Sequence, residues 1–126
     1  MSPYLLIAIG GIVGANARFL VSIWAANRIG VEFPYGTLIV NVSGSFLMGV
    51  LLTLVADRFG GNDEVRALLA TGFLGAYTTF STFAYETAAL IRQGSIRLAS
   101  ANALGSLIAG VAGAAVGIAL AARLAG

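Results

Sequence analysis

The sequence predicts an all-α integral membrane protein with four spanning helices, the third of them broken. Three observations carry this prediction. Of 126 residues, 59% are hydrophobic and 10% charged, with a mean hydropathy of +0.94, whereas soluble domains carry about 25% charged residues. Apolar runs of roughly the 20 residues needed to cross a bilayer recur along the chain. The stretch from Gly72 to Glu86 (G-F-L-G-A-Y-T-T-F-S-T-F-A-Y-E) lies inside the third run, yet gathers two glycines, three threonines and one serine. Gly72 and Gly75 loosen a helix, and Thr78, Thr79, Ser81 and Thr82 offer its backbone competing hydrogen bonds. Irregular backbone at membrane depth is tolerated only where protein buries it or water lines it. The stretch therefore reads as a broken helix at a site.

Taken in order, the first helix is expected from about Tyr4 to Ala26. A short loop follows, and its Pro34 suits the start of the second helix, about Tyr35 to Ala56. The segment Asp57 to Glu64 (D-R-F-G-G-N-D-E) holds three of the five acids and a Gly-Gly turn, so it is expected to be solvated. The third helix runs from about Val65 to Ile91, broken near its middle. Arg92-Gln93-Gly94-Ser95 makes a tight turn, and the fourth helix runs from about Arg97 to Ala122. Residues 1–126 read as a single four-helix domain with both termini on one side. The apolar N-terminus lacks a basic n-region and Gly10–Gly11 is a poor signal-peptide core, so it is expected to be a retained span.

Composition excludes several function classes. Cysteine and histidine are absent, which removes disulfides, thiolate metal sites and the commonest general base. Lysine is absent too, so Ser81 has no basic partner to activate it and enzymatic activity is not expected. A net charge of +2, scattered along the chain, does not suggest nucleic acid.

The arginines bear on orientation. On the four-span reading, Arg58, Arg66 and Arg123 fall on the side of the termini and Arg28, Arg92 and Arg97 on the other. Arg18 lies within the first span. The positive-inside rule acts on differences in short loops, and here the difference is 3 − 3 = 0. A chain without bias is able to insert both ways and to pair antiparallel; the alternative is that Arg18 or another factor settles one orientation.

Helix faces give a second signal. Thr37, Asn41, Ser45, Gly49 and Thr53 recur every four residues and stack on one face, beside Gly44. Asn102, Ser106, Gly110, Ala114 and Gly117 share a comparable face of the fourth helix, and Gly10 and Gly14 form a small-xxx-small pair in the first. Close helix packing explains such stripes. Asn41 and Asn102 press the other reading, because a carboxamide in hydrocarbon needs partners and two such stripes also build a polar track. Asn, Ser and Thr supply uncharged donors. Phe80 and Phe83 share a face with Thr87, and phenyl edges are electropositive; on spacing alone, ordinary lipid or core packing is the readier explanation of the phenylalanines. Such a lining suits a small anion, since a cation pathway more often shows rings of Asp or Glu. Arg18 and Glu86 are ionisable groups within or near the spans, and such groups are functional candidates; pairing with each other or snorkelling to an interface are the structural alternatives.

Three motifs resemble those of the Fluc (CrcB) fluoride channels. Gly10-Gly11-Ile12-Val13-Gly14-Ala15-Asn16-Ala17-Arg18-Phe19 is similar to their G-G-x-x-G-A-x-x-R-Y opening, with Phe19 in place of Tyr. Residues 36–49 (G-T-L-I-V-N-V-S-G-S-F-L-M-G) resemble their G-T-x-x-V-N-x-x-G-x-F-x-x-G segment. Residues 72–83 (G-F-L-G-A-Y-T-T-F-S-T-F) resemble their hallmark G-x-x-G-x-x-T-T-F-S-T-F. The fourth helix matches loosely: Ser106 and Gly110 fit, while Asn102 lies near a position where many members carry Tyr.

The resemblance implies an antiparallel, dual-topology homodimer with two fluoride pathways along its interface. It implies a passive, multi-pass channel in the inner or plasma membrane of a prokaryote that lowers internal fluoride. Carried over by motif, Asn41 would donate to fluoride, Phe80 and Phe83 would offer ring edges, and Ser106 would be a hydroxyl donor. Thr37 and Ser81 are further pathway candidates. A structural sodium ion, not transported, would be held at the dimer centre by the backbone carbonyls of Gly75 and Thr78. Two alternatives come from other classes. A proton-coupled exporter of the small multidrug type depends on a carboxylate in the first helix, where this chain has none. In a non-transporting assembly subunit the polar stripes would be packing alone.

Overall fold

The computed structural model describes every residue except Phe59. Its described residues form helices and connecting turns only. They are α1 (Pro3–Arg28), α2 (Tyr35–Asp57), a short α3 (Asp63–Val65), a π-helical stretch (Arg66–Leu74), α4 (Gly75–Tyr77), α5 (Phe80–Arg92) and α6 (Ile96–Ala125). Each lies within a few residues of the sequence expectation. The Asp57–Glu64 segment expected to be solvated is exposed at every described position, and Phe59 lies outside the described residues.

Local chemistry sets the ends. Ser2 caps α1 by accepting from the Tyr4 N–H at 3.2 Å, with Pro3 in the first turn. Pro34 precedes α2. Asn62 caps α3, its Oδ1 accepting from the Val65 N–H at 3.0 Å. Gly60, Gly61 and Gly94 turn the chain with φ of 62°, 75° and 83°, a region open to glycine at no steric penalty.

Among the described residues three continuous helices, α1, α2 and α6, are long and apolar enough to cross a membrane. The third expected span is interrupted. Its N-terminal part, 63–77, and the 13-residue α5 each fall short of the roughly 20 residues a crossing needs.

Glycines decide how closely the helices approach. A Cβ on Gly10 or Gly14 would run into the carbonyls of Leu68 and Phe73, so α1 lies directly on the π-helical backbone. A Cβ on Gly49 or Gly117 would strike the carbonyls of Ala114 and Phe46, which brings α2 and α6 together in the same way. The small-residue spacings in α1, α2 and α6 are thus packing seams. Little of the chain's apolar surface is buried internally: only 6% of the most apolar stretch of α6 is covered within the chain.

Candidate functional site

The break falls at Thr78–Thr79. Thr78 has ψ of 158° and Thr79 has φ −150° and ψ 118°, both extended, a conformation that suits β-branched residues. Upstream, the Gly75 N–H reaches back to the Ala70 carbonyl, five residues away, so the helix is already loosened on its approach. At the break the Thr78 N–H and Oγ1 both donate to the Leu74 carbonyl, at 3.1 and 3.0 Å. Beyond it, Thr79 Oγ1 accepts from the Thr82 N–H at 3.2 Å and caps α5.

Asn41 fastens this irregular backbone. Its Nδ2 donates to the Thr79 carbonyl at 2.9 Å, and its Oδ1 accepts the Thr79 N–H at 2.8 Å. An unbroken helix would aim that N–H at the Gly75 carbonyl, which Asn41 thereby releases. The amide keeps one N–H beyond this clamp. Gly44, one turn along, allows α2 to lie against the break, since a Cβ there would strike the Thr78 methyl. Ser43 Oγ and the Tyr77 hydroxyl hydrogen-bond at 3.0 Å on the neighbouring face.

Arg18 and Glu86 do not pair. Arg18 Nε donates instead to the Ala76 carbonyl at 3.0 Å, a carbonyl near the end of α4 that the break has freed. A cation at a helix C-terminus complements its dipole. Glu86 lines a separate small polar cavity of about 150 Å³ with Ser22, Tyr35 and Thr37. Its Oε1 is buried without a hydrogen-bond partner among the described residues.

Most of the predicted polar residues fall into three places. Asn41, Ser45, Gly49, Thr53, Thr78, Thr79 and Phe80 line a groove of about 680 Å³ running from the break along α2. Asp57, its one ionisable residue among the described residues, lies at the far end of α2, and uncharged polar groups alternate with apolar ones along the rest. Thr37 and Glu86 share the small cavity. Ser106 belongs to a third cluster, bonding Asn102 at 3.3 Å, and Asn102 in turn bonds Thr87 at 2.9 Å. Phe80 projects outward with 78% of its surface exposed, and the half-buried Phe83 ring sits 5.8 Å from it, tilted by 53°. Ser81 and Gly75 are exposed and lie outside the groove.

Sequence reasoning left three links undrawn: the Asn41 clamp, the Arg18 cap and the Asn102–Thr87 bond. For the first a signal was present. A threonine pair ahead of an aromatic-rich helix, with a lone carboxamide on a neighbouring span, is a cap and a backbone partner. For Arg18 the sequence held none, because its partner is a backbone carbonyl.

Comparison with known proteins shows the family. Residues 5–118 match the model of the family described as CrcB-like protein, Camphor Resistance (CrcB). A Methylococcus capsulatus protein named fluoride-specific ion channel FluC is 52% identical over 94% of this chain. The chain spans about half of that relative's length, 52%. Proteins of the same name from Roseiflexus sp. and Solibacter usitatus are 49% and 46% identical, with 90% and 98% of their lengths covered. On the match over residues 5–118 and these identities, this protein belongs to the CrcB family.

Proposed function

We propose that the chain forms a passive, fluoride-specific channel that lets cytoplasmic fluoride leave the cell. The observation that carries this reading is the break at Thr78–Thr79, opening beside a groove of uncharged donors in a chain whose relatives bear the name of fluoride channels. Residues 1–126 act as one domain with four spans, 63–92 crossing as two half-helices. Irregular backbone at that depth is acceptable because α1 and α2 bury it and the groove admits water. The equal arginine count permits insertion in both orientations and so supports an antiparallel homodimer in the inner or plasma membrane of a prokaryote. The exposed apolar faces of α6 and the outward Phe80 are consistent with a partner copy covering what one chain leaves open.

In this reading the remaining N–H of Asn41, the edges of Phe80 and Phe83, and the hydroxyls of Ser106, Thr37 and Ser81 replace the water of a small, strongly hydrated anion. Ring edges and neutral donors stabilise fluoride without trapping it, which passage requires. Arg18, tied to a carbonyl, acts structurally. An inside-negative potential favours anion exit by roughly 2.3 kcal/mol per 100 mV, so no coupled ion is needed.

A sodium ion fits the same break. Hard oxygen donors are what it takes, and half-helix ends with unwound carbonyls supply them. Gly75, whose helical donor is diverted to Asn41, and Thr78, whose backbone turns out of the helix, would hold it. There it would neutralise converging carbonyl dipoles and join two copies.

Electrode-detected fluoride release from proteoliposomes, with chloride as control and no pH gradient, tests the reading. We expect fluoride release, no chloride release, and loss of flux on replacing Phe83 with a small polar residue. Release that requires a proton gradient would instead indicate an exporter, and no fluoride release at all from folded, reconstituted protein would refute the channel.

A further inference from the structure

Below Phe83, α5 and α6 are joined by a hydrogen-bond chain in which every proton position follows from one end. Thr87 Oγ1 donates to the Phe83 carbonyl at 2.8 Å, and a carbonyl only accepts. A hydroxyl has one proton, so Thr87 has none for Asn102 and accepts from it. Asn102 therefore turns Nδ2 to Thr87, 2.9 Å away, and is left with Oδ1 facing Ser106. That oxygen also only accepts, so Ser106 Oγ donates to it, at 3.3 Å. Asn102 is 0% exposed, and solvent offers its amide no alternative.

We propose that Asn102, oriented by Thr87, directs the Ser106 proton away from the anion path and so sets the affinity of the α6 side for fluoride. This rests on the channel reading above. With its proton on Asn102, Ser106 shows a passing anion only lone pairs, which repel it. To donate to fluoride it must rotate and leave a buried Oδ1 without a partner. The 3.3 Å separation is long for an O–H···O bond, so the hold yields readily. Releasing the proton beforehand is worth about 2- to 10-fold in fluoride affinity, the size of one net hydrogen bond. Asn102 is a positioning residue, acting through Ser106.

The test is the half-saturating fluoride concentration for efflux from proteoliposomes. Asn102→Leu, close in volume, removes the acceptor and should lower half-saturation about 2- to 10-fold. Thr87→Val never touches Ser106, yet it frees the amide to turn its Nδ2 toward Ser106 and should shift half-saturation the same way. In a Ser106→Ala background neither change should shift it further. An unchanged or raised half-saturation in Thr87→Val, or a shift that persists in Ser106→Ala, overturns the inference. Should Asn102→Leu fail to fold, Thr87→Val alone decides. Wild-type protein that releases no fluoride refutes the channel reading instead, so the two failures are distinguishable.

Discussion

Asn41→Leu tests how the break is held. The substitution keeps the volume and removes both bonds to Thr79, at 2.9 and 2.8 Å. It leaves the Thr79 N–H and carbonyl facing an apolar side chain. An unsatisfied buried group costs about 1–3 kcal/mol. The groove opens beside Thr79, so water recovers part of this and the low end applies to each group, about 2 kcal/mol for the two. At 1.4 kcal/mol per decade, that is roughly a 30-fold rise in local opening. Amide hydrogen exchange followed by mass spectrometry on detergent-solubilised protein reads it directly. Peptides covering residues 76–82 should lose about 30-fold in protection, while those from α1 and α6 keep theirs. Ser45→Ala, one turn along the same groove without a hydrogen bond to the break, should change nothing. Unaltered protection at Thr79 in Asn41→Leu would refute the clamp, and with it the account of how Gly75's carbonyl is freed.

Four further outcomes follow from the same geometry. Arg18→Met should destabilise the chain by about 1–2 kcal/mol, because the Ala76 carbonyl loses a charge-assisted donor; unfolding in rising dodecyl sulfate measures it, and no loss would mean the bond is idle. Gly10→Ala should cost more than about 2 kcal/mol, since its methyl meets the Leu68 carbonyl rather than a movable side chain. Gly105→Ala, whose methyl would meet no neighbouring element within 4 Å among the described residues, should by the same assay gain about 0.5–1 kcal/mol from helix propensity. Glu86→Gln should retain or raise stability, because the buried Oε1 has no hydrogen-bond partner among the described residues; a loss beyond about 1 kcal/mol would reveal a partner for that oxygen.

The helices and the break were legible in the sequence because their causes are local. Apolar runs of spanning length, Pro34 ahead of α2, and Gly94 in the last turn act over a few residues. Thr78 and Thr79 carry their own reasons to leave the helix, in branched side chains and in a hydroxyl that caps α5. The stripe from Asn41 to Thr53 was legible as a face, and it does line the groove. Its chemistry was not, because a polar side chain's role depends on what stands opposite it. Asn41 reads as a donor to an anion, and in the fold much of its hydrogen-bonding capacity goes to Thr79. The sequence left pairing between Arg18 and Glu86 open, and tertiary packing gives Arg18 a carbonyl and leaves the buried Glu86 Oε1 without a partner among the described residues. The same glycines that the sequence shows as spacing become, in space, the points where α1 meets the π-helical backbone and α2 meets α6. Periodicity along a chain determines which residues share a face, and so the sequence by itself determined four apolar segments, one interruption and one polar stripe. Which backbone group each polar atom meets depends on helices 38 and 58 residues apart along the chain, and only the tertiary structure decided that.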